Sequence, residues 1–100
     1  MAFRIKFSAR ALREIGAART WYETQNPGLG DEFIAAIELQ LKRLEQAPML
    51  YAEVIPKVHR ALLPRFPYGL FYVVRQDLVY VLAVLHEVRN PNQWPKASKD

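Results

Sequence analysis

Residues 78–85 read Leu-Val-Tyr-Val-Leu-Ala-Val-Leu, eight positions without a charge. Extended, such a run is apolar on both faces, the pattern of a strand covered on both sides. Residues 69–75, Gly-Leu-Phe-Tyr-Val-Val-Arg, repeat it. Only Gln76-Asp77 separates the two runs, so they form a tight antiparallel hairpin. Residues 57–65 supply a third strand, with Phe66-Pro67-Tyr68-Gly69 turning the chain between. Near the start, Phe3-Arg4-Ile5-Lys6-Phe7 alternates apolar and basic, as a half-buried strand does.

Two stretches have helical period. After Ser8, a good N-cap, Ala9, Leu12, Ile15, Ala18 and Tyr22 fall three and four apart. The run 26–30, Asn-Pro-Gly-Leu-Gly, breaks that helix. Asp31 can cap a second, whose stripe is Phe33, Ile34, Ile37, Leu41 and Leu44 and which stops before Pro48. Residues 49–56 read as irregular, and the tail from Val88 has no period. The order is β-α-α-β-β-β, an α+β chain forming one domain over 1–100, with a helix hairpin on one face of a small antiparallel sheet. Two helices cover one face only. The other face would be left to the tail bearing Trp94, or to a partner.

The composition suits a packed core: 51% hydrophobic and 24% charged. With no cysteine, disulfides, thiolate zinc sites and thiol catalysis are excluded. Two histidines and scattered carboxylates have no metal-ligand spacing, so no metal or cofactor is implied. No apolar run reaches membrane-spanning length and the first ten residues hold no signal-peptide centre, so a cytoplasmic chain without a membrane role is expected. Up to residue 56 seven basic and seven acidic residues cancel. From Lys57 onward seven basic residues face three acids, so the whole net charge of +4 lies there. A one-sided basic surface suits an acidic partner.

Three segments together resemble the RelE/ParE superfamily of bacterial type II toxins, most closely the ParE-like branch: Trp21-Tyr22 before the glycine loop, Arg65-Phe66-Pro67-Tyr68 between strands, and His86-x-x-Arg89-x-Pro91-x-x-Trp94 after the last strand. The resemblance spans about residues 3 to 94. It implies a growth-inhibiting toxin held in a hetero-oligomer by a small ParD-like antitoxin, which wraps the sheet and the helix hairpin. The toxin would meet DNA only through that antitoxin, and would serve plasmid or chromosome maintenance.

The superfamily implies two targets. RelE-like toxins cut mRNA on the ribosome, and ParE-like toxins inhibit DNA gyrase without chemistry of their own. RNA cleavage needs an acid, a base and cations for the phosphate. Arg60 fills one basic position of the RelE-like pattern, but Leu62, Gly69 and His86-Glu87 stand where further Lys or Arg would be wanted. A gyrase inhibitor is the expectation, with a ribosome-dependent mRNA endonuclease built on Arg60, His86 and Arg89 as the alternative. Contacts to target or antitoxin fall to Arg60, Arg65, Tyr68, Arg89 and Trp94, of which Arg89 and Trp94 are placed first. His86 reads as a strand-end residue against the tail. Convergence of Arg60, Arg65, His86 and Arg89 on one cleft would argue for the nuclease.

Overall fold

The computed structural model describes residues 2–88 and 90–97. The elements run β1 (Arg4–Phe7), α1 (Ala9–Gln25), α2 (Leu29–Gln46), β2 (Glu53–Ile55), β3 (Val58–Leu62), β4 (Tyr68–Arg75) and β5 (Leu78–His86). Single 3-10 turns lie at Pro48–Leu50 and Pro91–Gln93. The strands form one sheet in the order β1-β5-β4-β3-β2. Four strands are antiparallel, as the hairpin pattern requires, while β1 runs parallel to β5 because α1 and α2 carry the chain back across the sheet. The sheet is therefore mixed. The region 49–56, expected to be irregular, contributes β2, which turns into β3 through Pro56 and Lys57, the latter with φ 65°. In the β4–β5 hairpin Gln76 takes the left-handed position (φ 56°) that glycine more often fills.

The helix hairpin covers one face. Phe33, Ile37 and Leu44 of α2 and Ala11, Ala18 and Tyr22 of α1 pack on Ala61, Leu70, Tyr72, Val79, Val81 and Val84. The stripe expected on α1 is rotated: Ala11 is buried and Leu12 is 56% exposed. Small side chains let α1 lie close to β5. Gly28, with φ 92°, and not Asp31, precedes α2. The helix start is satisfied from α1: Glu23 accepts from the backbone N–H groups of Gly28 and Gly30, and Arg19 pairs with Asp31 at 2.8 Å. A carboxylate at a helix N-terminus is favoured by the helix dipole.

The second face is closed mostly by the chain itself. Val58, Phe71, Val73, Ala83 and Leu85 are each under 5% exposed, packed beneath Val54, Ile55, Tyr80, Leu82, Trp94 and Ala97. Of the two covers expected there, the tail bearing Trp94 is the one seen, joined by side chains of β2 and β5. The large exposed apolar residues among those described are Leu12 and Trp21 on α1, Leu39 on α2, Met49 and Leu50 after it, Val88, and, on the second face beside Arg60, Leu62 at the end of β3.

β5 serves both faces through a bulge. Tyr72 pairs with Val81 and Phe71 with Ala83, which leaves Leu82 as the extra residue. Before the bulge Val79 and Val81 face the helices; after it Val84 does, and Ala83 and Leu85 turn to the second face. Ser8 holds this point. Its N–H donates to Val81 O at 2.9 Å and its hydroxyl donates to Leu82 O at 2.8 Å. The same hydroxyl accepts from Ala11 N–H at 3.0 Å, capping α1. Past the end of β1, Glu14 accepts from Val84 N–H at 2.8 Å.

Replacing Ser8 with Ala removes a cap and a bulge partner together, and should cost about 2 kcal/mol. The shift of the urea midpoint measures it. Tyr72 donates from its buried hydroxyl to Pro48 O at 2.6 Å. Burial, and secondarily Tyr51, pushes its phenol well above the ordinary tyrosine range. The stability this represents is complete below the unfolded pKa of ~10. Above it the folded chain keeps a proton that the unfolded chain has lost, so stability falls as pH rises. Tyr72→Phe should cost about 1 kcal/mol at neutral pH and flatten that alkaline fall. Equal slopes for the two proteins above pH ~10 would contradict the assignment.

Candidate functional site

Arg60 and Trp94 meet on the second face. Arg60 pairs with Phe71 across β3 and β4. Its guanidinium carbon lies 5.5 Å from the centre of the Trp94 ring, and that ring lies 5.3 Å from Phe71. Gly69 makes the seat: a Cβ there would lie 3.0 Å from Arg60 Cγ. The absent side chain is the space in which the arginine stem rests. The tail reaches this position after the Pro91–Gln93 turn and is tied down by Arg10, which donates to Gln93 O and pairs with Glu14 at 3.0 Å. Neither Arg10 nor Glu14 was marked by the sequence pattern, since both lie on the polar side of α1.

Tyr68 and His86 meet on the other face. They are direct cross-strand partners, with ring centres 5.3 Å apart. Tyr68 also packs on Tyr22 and Phe33 beneath the helices. His86 Nδ1 accepts from Val88 N–H at 3.2 Å, so its other ring nitrogen carries the proton in the neutral ring. Trp21, Tyr22, Pro67, Tyr68, His86 and Val88 line an open cleft of about 510 Å³. Trp21 and Tyr22, adjacent near the end of α1, have different surroundings. Tyr22 is buried in the hairpin packing, and Trp21 touches it edge-on while remaining 56% exposed.

Arg65 belongs to neither group. It sits in the turn after β3 with φ 70°, pairs with Glu32 at 2.7 Å and lies over Phe66. Arg89 lies outside the described residues. The other predicted residues thus separate. Arg60 with Trp94 is on the second face, Tyr68 with His86 is on the helix face, and Arg65 is tied to α2. Arg60 and His86 are on opposite sides of the sheet and cannot address one phosphate from these positions. Among the described residues no group of three or more His, Asp or Glu could hold a metal, and no helix is long and apolar enough to cross a membrane.

A family model described as the ParE toxin of type II toxin–antitoxin system, parDE, matches residues 5–91. Among solved structures, a chain of the chromosomal ParDE TA system from P. aeruginosa superposes with a TM-score of 0.75 at 20% identity, covering 85% of this chain and 96% of that one. The intact E. coli RelBE toxin–antitoxin complex gives 0.65 at 20% identity, covering 89% and 100%. The isolated E. coli RelE toxin gives 0.65 at 21% identity, covering 91% and 90%. At these identities the likeness shows the fold alone. No curated protein matches the sequence.

Trp94 couples the tail to Arg60, so the two truncations should not add. Trp94→Ala is expected to cost about 2 kcal/mol, less than for a fully buried tryptophan. The double-mutant cycle with Arg60→Ala should give a coupling of ~0.5–1 kcal/mol, read from urea midpoints. Strict additivity would show that the ring contact contributes nothing.

Proposed function

The chain belongs to the ParE toxin family of type II toxin–antitoxin systems, and from that membership we propose that it arrests growth by binding DNA gyrase, with no hydrolytic step of its own. The observation that carries this reading is the separation of Arg60 from His86. Cleaving an RNA phosphate requires an acid, a base and cations around one group. Here the cation is stacked on Trp94 on one face, and the titratable ring is on the other. A surface that binds a protein needs no such convergence. Aromatic residues and arginine concentrate the energy of such contacts, and Arg60, Tyr68, Arg89 and Trp94 are the residues to which target contact falls. Arg65 is assigned to the partner side, beside α2.

The partner is a ParD-like antitoxin, as the toxins of solved ParDE and RelBE systems have partners. The exposed apolar residues Leu39 and Leu50, bordered by Lys42 and Arg43, give a partner segment with acidic and apolar side chains a place to lie. Any contact with operator DNA would pass through that antitoxin, and the complex would work in the cytoplasm.

A supercoiling assay with purified chain and gyrase tests the reading. The expected outcome is dose-dependent loss of supercoiling with trapped cleaved DNA, reversed by the cognate antitoxin, and weakened about tenfold or more by Trp94→Ala in a sample that still melts cooperatively. If gyrase is unaffected while ribosome-bound mRNA is cut, and Arg60→Ala with His86→Ala abolishes the cutting, the chain is an endonuclease and this reading is wrong.

A further inference from the structure

β5 runs on beyond its parallel neighbour. β1 pairs with it from Leu78 to Val81, and β5 continues to His86. From Leu82 onward the residues at the start of α1 take over that side. Ser8 Oγ donates to Leu82 O, and Glu14 accepts from Val84 N–H at 2.8 Å. Glu14 has a second task. Its other carboxylate oxygen pairs with Arg10 Nε at 3.0 Å, one turn back on the helix. A further nitrogen of the same guanidinium, Nη2, donates to Gln93 O in the tail. A continuous line of contacts therefore runs from the backbone of β5 through Glu14 and Arg10 to the residue before Trp94. The ion pair is partly shielded, at 36% and 23% side-chain exposure, so it is worth more than a fully exposed one. The guanidinium fork serves a carboxylate and a carbonyl at once. Glu14 is fixed by the strand, so Arg10 is aimed before the tail arrives and loses less freedom when it binds.

We propose that Arg10 and Glu14 are positioning residues for the target surface. They seat the tail so that Trp94 lies against Phe71 and beneath the Arg60 guanidinium, and the target meets that assembled pair. This rests on the reading that Arg60 and Trp94 contact the target. Trp94 is half-buried, and its rings and cation are side-chain contacts that tolerate sliding. A donor on Gln93 O fixes the main chain one residue away, which sets where the indole enters. A helix packed on one face of the sheet thus controls a surface on the other.

The test joins two readouts. The chain has two tryptophans, so Trp21→Phe leaves Trp94 alone and acrylamide quenching then reports on the tail. In that background Arg10→Ala should move the quenching of Trp94 toward that of a free indole. Arg10→Lys keeps the charge and a donor, and should recover part of the protection. Glu14→Gln keeps an oxygen for Val84 N–H but removes the charge that orients Arg10, and should give an intermediate value. With Trp21 in place, Arg10→Ala should raise the half-inhibitory concentration for gyrase about three- to tenfold, the loss of one hydrogen bond to a charged group. The rise should match the factor by which the seated fraction of the tail falls, because apparent affinity scales with the competent fraction. A merely structural loss would lower the melting temperature without tying those two factors together. Unchanged quenching in Arg10→Ala and Glu14→Gln overturns the proposal, as does altered quenching with unaltered inhibition. If the parent chain leaves gyrase unaffected, the gyrase reading fails by itself, and quenching still decides whether Arg10 and Glu14 seat Trp94.

Discussion

The single extra residue at Leu82 decides what each side of this sheet can do. A strand alternates with period two, so one inserted residue moves every later side chain to the opposite face. Up to Val81 the odd-numbered residues of β5 face the helices; beyond Leu82 the even-numbered ones do. The bulge sends Leu85 to the second face and His86 to Tyr68 on the helix side. An unbulged β5 would have placed His86 on the same face as Arg60. A bulge leaves backbone groups unpaired. Ser8 accepts the task of filling that gap at the point where β1 ends, because its hydroxyl reaches Leu82 O while capping α1. The entry into the first helix and the facing of the last strand are thus one local arrangement.

That arrangement orders the rest. With Leu85 and Ala83 on the second face beside Phe71, there is an apolar floor on which Trp94 can rest. Trp94 in turn receives the Arg60 guanidinium, and Gly69 leaves the arginine stem its room. The tail fills a surface that two helices could not reach. On the helix side Tyr68 extends an aromatic group of Tyr22, Phe33 and Phe66 toward His86. The packing and the placement of candidate contact residues follow from the same parity.

The family's two chemistries bear on this geometry in opposite ways. A nuclease has to gather charge around a phosphate; a protein-binding toxin has to present rings and cations outward. Arg60 stacked on an indole is suited to the second demand, since a cation on a ring keeps a polar edge for a partner while its stem stays packed. The exposed residues at the end of α2 and the cleft beside Trp21 are two further surfaces that share no lining residue.

Much of the fold was written in local pattern. The uncharged run 78–85, the two-residue link before it, the helical spacing of Phe33, Ile37 and Leu44, and Ser8 as a cap follow from period and turn chemistry, which act over a few residues. That Leu62 and Gly69 stand where the RelE-like pattern has cations is also visible in the letters, but only through the resemblance. The sequence could not show the bulge at Leu82, since bulged and regular strands share the same apolar letters. Nor could it show that β1 lies parallel beside β5, that residues 53–55 add an edge strand, or that Arg10 would secure the tail at Gln93. Each of these depends on which segments lie side by side. Residue type set which faces were apolar; only the register between strands, fixed by long-range pairing, decided which side chains share a face.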